Sequence, residues 1–203
     1  KKMTYTKIYC STGPEELRPL RLIDRPKRIG YMASIWHKHD LEFVSDQIFA
    51  VLEKHKDIEF QVFGFDFTPE SKFKIKHKSF KPVSASYMAF RNFHDTLGWD
   101  VGIAPLRPLG YNRCKANTKW VEYSCAGSAV IAAEMDPYWD LERDAVTLSK
   151  ADGWADALTR IIEDKEYRHS QQQAAQDLLM AQYNFDAHAQ QFCEILLSIN
   201  VEI

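Results

Sequence analysis

The chain has 203 residues, 45% hydrophobic and 27% charged, the balance of a soluble globular domain long enough to bury one sizeable core. A formal net charge of −2 excludes a global pull toward nucleic acid or an anionic membrane, so any basic site has to be local. No apolar run approaches the ~18 residues of a membrane-spanning helix, no secretory signal opens the chain, and Cys10, Cys114, Cys125 and Cys193 are scattered without a Cys-x-x-Cys pair, which fits reduced thiols in a cytoplasmic protein better than a zinc site.

Residues 1–27 carry Pro14, Pro19 and Pro26 among many charges and show no period. They read as a leader or interdomain segment with one short strand over 7–10. Residues 28–34 predict a strand that ends in a polar turn. Asp40 is placed to cap the helix that follows, where Leu41, Val44, Ile48, Val51 and Leu52 recur at helical spacing. Residues 58–64, rich in β-branched and aromatic side chains, predict a second strand, and 74–80 a shorter third. Residues 84–98 predict a helix closed by Gly98. From Asp100 come a buried strand, a cationic loop, a helix from about Thr118 to Gly127 and another buried strand. Residues 145–148 predict a sixth strand. Asp152 is placed to cap a helix with Trp154, Ala157, Leu158, Ile161 and Ile162 on one face, and the rest is helical with a break near Asn184.

Strands alternating with helices imply a parallel sheet with crossover helices. The expected fold class is α/β: a doubly wound, Rossmann-like sheet of about six strands in the order 3-2-1-4-5-6, forming one domain over 28–165, followed by C-terminal helices over 166–203. In that order strands 1 and 4 are neighbours, and ligands bind in the crevice beyond their C-terminal ends. The loops over 34–40 and 106–118 face that crevice.

The second loop holds Arg107, Arg113 and Lys115, with Lys119 one step into the helix. Four cations beside a helix N-terminus, itself worth about half a positive charge, suit a diphosphate; the plainer alternative is a solvated basic loop. Glu122, one turn on, can accept from a pair of ribose hydroxyls, or serve as a helix-dipole partner or a salt bridge to Lys115 or Lys119. In the first loop, Ser34 and His37 offer polar donors to a phosphate just before a helix. His37 and His39 two apart lack the further ligands a metal needs, so no metal is expected. The turns at Gly64 and at 81–84 flank the place of a nucleotide base, with Val83 or Phe65 as apolar lining. There is no Gly-x-Gly-x-x-Gly after strand 1, no Gly-x4-Gly-Lys-Ser/Thr loop and no Gly-x-Ser-x-Gly elbow.

With those residues in place, the chain resembles the C-terminal, donor-binding half of a GT-B glycosyltransferase, most of all the large group 1 (family 4) type. The resemblance covers about residues 27–165. Its carriers are Arg28-Ile-Gly-Tyr, His37, Asp40, the Phe60 to Gly64 block, the Asp100 to Leu106 block and, most specifically, Asn112-x-x-Lys115-x-x-x-Lys119-Trp-Val-Glu122-Tyr with Gly127, Val130 and Ile131. It implies a nucleoside-diphosphate sugar of UDP or GDP type as donor substrate and no separate cofactor. It also implies a separate N-terminal domain for a saccharide or lipid-linked acceptor, and a place in bacterial surface polysaccharide synthesis at the inner face of the cell membrane. The enzyme so implied is of hexosyltransferase type, with the 203-residue chain alone binding nucleotide weakly and transferring nothing. Lys115 and Lys119 correspond to residues near the diphosphate. Glu122 corresponds to the second glutamate of a Glu-x7-Glu motif that contacts the ribose. The first glutamate is replaced by Cys114, which favours donor binding over a defined sugar contact and leaves the catalytic residue unassigned. The competing readings are a non-catalytic nucleotide-binding or assembly domain and a GT-B-like sugar-nucleotide epimerase, the latter disfavoured by the Lys-x3-Lys-Trp-Val-Glu block.

Overall fold

In the computed structural model, residues 12–68, 76–81 and 86–198 are described; the expected strand at 7–10 and Val83 lie outside them. Near-continuous apolar runs make strands that are covered on both faces. They are β1 (Arg28–Met32), β2 (Glu59–Phe63), β4 (Val101–Ala104) and β5 (Ala129–Ala133), with the more polar β3 (Lys76–Phe80) and the short β6 (Thr147–Ser149) at the edges. All pair in parallel, in the order β3-β2-β1-β4-β5-β6. The expected doubly wound sheet is therefore present.

The crossover helices are α1 (Lys38–Leu52), α2 (Tyr87–Leu97) and α3 (Thr118–Cys125); α4 (Trp154–Glu163), α5 (Lys165–Gln182) and α6 (Phe185–Ser198) follow the last strand. Every position of the predicted α1 stripe is buried. Neither expected aspartate cap forms: α1 starts behind His37 and α4 behind Gly153, with no side-chain cap on either. The Trp154 amide donates instead to the Gln47 side chain of α1, at 3.1 Å, because α1 and α4 pack together. The break near Asn184 is a real cap, its Oδ1 accepting from the Ala187 amide at 2.8 Å.

Two glycines side by side in the ladder, Gly30 and Gly102, let large rings lie on the sheet. A Cβ on Gly30 would fall 1.8 Å from the Trp99 indole, and one on Gly102 would fall 2.3 Å from the Tyr123 ring. Beyond this pair the ladder between β1 and β4 stops. The Met32 amide donates to the Tyr123 hydroxyl at 2.9 Å, and that hydroxyl donates to the Ile103 carbonyl at 3.2 Å. A side chain thus spans the two strands where backbone pairing has ended, and the sheet opens into a crevice at the expected switch point.

At the other end of the sheet, residues 12–27 lie against α3 and α5. The Arg18 and Arg21 amides donate to the carbonyls of Cys125 and Gly127. Gln172, Gln176 and Arg168 of α5 donate to the Arg21, Arg18 and Ile23 carbonyls.

Candidate functional site

The crevice between β1 and β4 holds a cavity of about 480 Å³ lined by the end of β1, Ser34 and His37 of the following loop, Phe63 and Gly64 at the end of β2, Phe90 of α2, and Thr118 and Lys119 at the start of α3. Four of the expected site residues therefore meet here: Ser34, His37, Gly64 and Lys119. Gly64 is needed at its position, because φ is +118° and a Cβ would stand 1.9 Å from the Ala33 carbonyl oxygen. The end of β2 can close on the β1 loop only without a side chain there.

The four cations of the basic loop do different things. Lys119 forms no ion pair among the described residues and lies 5.8 Å from the centre of the Tyr31 ring. Burial, then the neighbouring charge of Lys115, push its ammonium down to about 8. Lys115 stands 3.2 Å from His37 Nδ1 and 3.8 Å from the Asp40 carboxylate. Arg107 is 3.7 Å from that same carboxylate. Arg113 lines a separate hollow with Phe43 and Trp154, so it belongs to no common cluster with the others.

Asp40 is a cross-loop brace. Its carboxylate accepts from the Arg107 amide at 2.9 Å and from the Asn112 side-chain amide at 3.3 Å, and it lies 3.0 Å from His37 Nδ1. Burial alone would raise this carboxyl, but the bond from His37, the bond from the Arg107 amide and the charge of Lys115 bring it down to about 2. Asn112, fully buried, also donates to the Arg107 carbonyl at 2.8 Å. It shapes the loop and does not line the cavity. Asp40 thereby ties the loop after β1 to the loop after β4 and holds both at the cavity wall.

Glu122 is also engaged elsewhere. Arg91 donates to one of its oxygens and the Tyr87 hydroxyl to the other, both at 2.8 Å, with the carboxylate 4% exposed. Neither Lys115 nor Lys119 is its partner. Burial raises its pKa against the pull of Arg91 and Tyr87. Arg91 continues to the Glu16 carbonyl at 3.1 Å, so one guanidinium joins α2, α3 and the segment before β1.

The apolar wall differs from the expected one. Phe65 is buried against Tyr31 and Phe67. Phe63 and Phe90 line the cavity instead, stacked with ring centres 5.5 Å apart and 7° between planes. Phe63 ends a strand and Phe90 sits on the helix stripe of Phe90, Phe93, His94 and Leu97, so both read as core in the sequence. Among the described residues no group of three or more His, Cys, Asp or Glu is disposed to hold a metal ion, and no helix is long and apolar enough to cross a membrane.

No family model matches the sequence, and no curated protein matches it. Solved structures do match its fold. A mutant of TarM from S. aureus, in complex with Fondaparinux, alpha-GlcNAc-glycerol and UDP, superposes with a TM-score of 0.61 at 9% identity, over 94% of this chain and 38% of that one. A trehalose-6-phosphate synthase studied for glycosyl transfer with retention gives 0.61 at 15% identity, over 93% and 48%. A UDP-forming alpha,alpha-trehalose-phosphate synthase from Burkholderia xenovorans gives 0.60 at 12% identity, over 87% and 45%. The chain spans less than half the length of these glycosyltransferases, and it has the fold of one half of a GT-B enzyme.

Proposed function

We propose that this chain is the donor-binding half of a glycosyltransferase that moves a sugar from a nucleoside-diphosphate sugar to a saccharide or lipid-linked acceptor. The observation that carries the reading is Lys119, a half-buried ammonium that forms no ion pair among the described residues and feels the Asp40 charge only at a distance, standing at a helix start in the wall of the switch-point cavity. A diphosphate supplies the missing charge. In this reading Ser34 and His37 face the same phosphates, and Phe63, Phe90 and the Gly64 turn take the flat or apolar part of the donor. Sugar transfer breaks the bond between the anomeric carbon and the diphosphate. Lys119 and the α3 dipole lower the barrier by holding the charge that develops on the departing phosphate oxygen.

The structural neighbours include proteins described as UDP-forming or bound to UDP, which makes UDP the first nucleotide to try. Calorimetric titration with UDP and GDP tests the reading. Binding of one of them supports it, and no heat up to ~1 mM of either sinks it. A place in bacterial surface polysaccharide synthesis at the inner membrane face is part of the same proposal. So is a partner domain carrying the acceptor.

A second reading keeps the nucleotide and drops the chemistry. It is favoured by Cys114 where the motif has its first acid and by the closed engagement of Glu122 with Arg91 and Tyr87. Sugar transfer from a UDP-sugar by the parent protein excludes it. Nucleotide binding without transfer, over a range of acceptors, favours it.

A further inference from the structure

A hollow of about 170 Å³ lies beside the switch-point crevice, where the ends of β4, β5 and β6 meet α1 and α4. The buried Leu106 and Trp154 lie at its floor. Phe43 of α1, 41% exposed, and the half-buried Met135 stand at its rim, within reach of a ligand. The loop after β4 is the partition between the two cavities. Leu106 faces the hollow, and Arg107 next to it lies 3.7 Å from Asp40 on the crevice side.

Three charged residues from three separate loops line this hollow: Arg113 after β4, Glu134 after β5 and Lys150 after β6. Arg113 and Lys150 are exposed and Glu134 is half-buried. None of them forms an ion pair or a side-chain hydrogen bond among the described residues. Two cations against one carboxylate leave positive charge in excess, which calls for an anion. A bare inorganic anion would meet Glu134 as a like charge. An anionic group carried on a ring with hydroxyls resolves this. The group pairs with Arg113 and Lys150, a hydroxyl donates to Glu134, and the C–H face of the ring lies on Phe43 and Met135. The volume is below the ~300 Å³ at which sites for drug-sized ligands begin, so the hollow takes one ring and not a nucleotide.

We propose that this hollow is a second binding site, for a single sugar ring that carries a carboxylate or a phosphate. The proposal does not rest on the nucleotide reading of the crevice.

The test uses the 203-residue chain labelled at its methionine methyl groups. Met32 lines the crevice and Met135 the hollow, so the two sites are read separately. Glucuronate and glucose 6-phosphate should shift the Met135 methyl and bind in the millimolar range, and UDP should shift Met32. Glucose and inorganic phosphate should each bind at least about tenfold more weakly than the acidic sugars. Arg113→Gln should weaken glucuronate by about tenfold, because the planar fork that grips a carboxylate is gone. Lys150→Gln should weaken it by about threefold. Both residues are exposed, and an unchanged methyl spectrum of each free variant shows that the fold is kept. No Met135 shift with either acidic sugar up to ~10 mM overturns the proposal. So does glucose or phosphate binding as tightly as the acidic sugars, or glucuronate binding that survives both substitutions. A Met32 methyl unmoved by UDP beside a shifted Met135 counts against the nucleotide reading alone.

Discussion

Two buried aspartates, each 2% exposed, stand at opposite ends of the neighbouring strands β1 and β4, and they are used differently. Asp100, just before β4, accepts from the Lys27 amide at 2.7 Å, the Arg28 amide at 2.9 Å and Arg21 Nε at 2.9 Å. One carboxylate meets one guanidinium, and the region is closed. Asp40, beyond β1, accepts from a loop amide and from Asn112, and it stands near His37, Lys115 and Arg107. One carboxylate there faces several cations, and Lys119 a little further on forms no ion pair among the described residues. The same residue type at the same burial is structural where charge balances, and organises a binding site where positive charge is left over.

Removing Asp100 should give the largest effect, because Asp100→Ala leaves the Lys27 and Arg28 amides and the Arg21 guanidinium without their shared buried carboxylate. It should lower unfolding stability by about 3–5 kcal/mol in urea titration and leave the UDP affinity of the folded fraction within about twofold. A loss below ~1 kcal/mol would mean that the two ends are not distinguished as described. His94, at the same end, sets the acid response. Burial drives its folded pKa from 6.5 down to about 4, with the Asp95 charge opposing and the Arg91 charge adding. The stability held by the neutral ring is complete above pH 6.5 and is lost as pH falls toward 4, by about 3 kcal/mol in all. Asp40 acts only below this window, between 3.8 and about 2. Urea midpoints should therefore fall more steeply between pH 7 and 4.5 in the native protein than in His94→Phe, where the lowered pKa values of His77 and His188 leave a smaller fall.

At the open end the effect should appear in binding. Lys119→Ala should weaken UDP by about tenfold, or ~1.4 kcal/mol, and stability should hold or rise because a desolvated charge is gone. Since the ammonium titrates at about 8 in the free site, UDP affinity should decline as pH rises past that value. It should not do so in the alanine variant. Equal pH profiles for the two proteins would remove Lys119 from the site.

Much of the fold was legible because its signals are local. The apolar runs of β1, β2, β4 and β5, the α1 stripe and the Gly98 stop each lie within one element. The strand order followed from alternation and the right-handed crossover. Ser34, His37, Gly64 and Lys119 followed from that order, since it fixes which loops share the crevice. What stayed hidden depends on pairs far apart in sequence. Asp40 looked like a cap because it stands at a helix start, while its partners, the Arg107 amide and Asn112, lie 67 and 72 residues away. Asn112 and Lys115 likewise meet Asp40 across 72 and 75 residues, and neither lines the cavity. The residues before β1 looked irregular because their hydrogen bonds go to α3, α5 and the ends of other elements. One signal was available. Arg91 shares the α2 stripe with His94 and Leu97, and an arginine at buried spacing requires a carboxylate.

That carboxylate is Glu122, and it gives the finest test of the difference between the two ends. The resemblance casts it as a ribose contact, while its geometry groups it with Asp100, as a buried acid whose partners are already in place. Glu122→Gln keeps the side-chain volume and leaves one oxygen to accept from Arg91, with the amide able to meet the Tyr87 hydroxyl. As a structural acid it should lose about 1 kcal/mol of stability and change UDP affinity by less than about twofold. Uridine, which lacks the phosphates, should be equally unaffected if it binds measurably. A ribose contact would behave otherwise. UDP and uridine would weaken by the same factor, and 2′-deoxyuridine diphosphate would be indifferent to the substitution. Comparing these three ligands on the native protein and on Glu122→Gln separates a carboxylate that reads the sugar from one that holds α2 against α3.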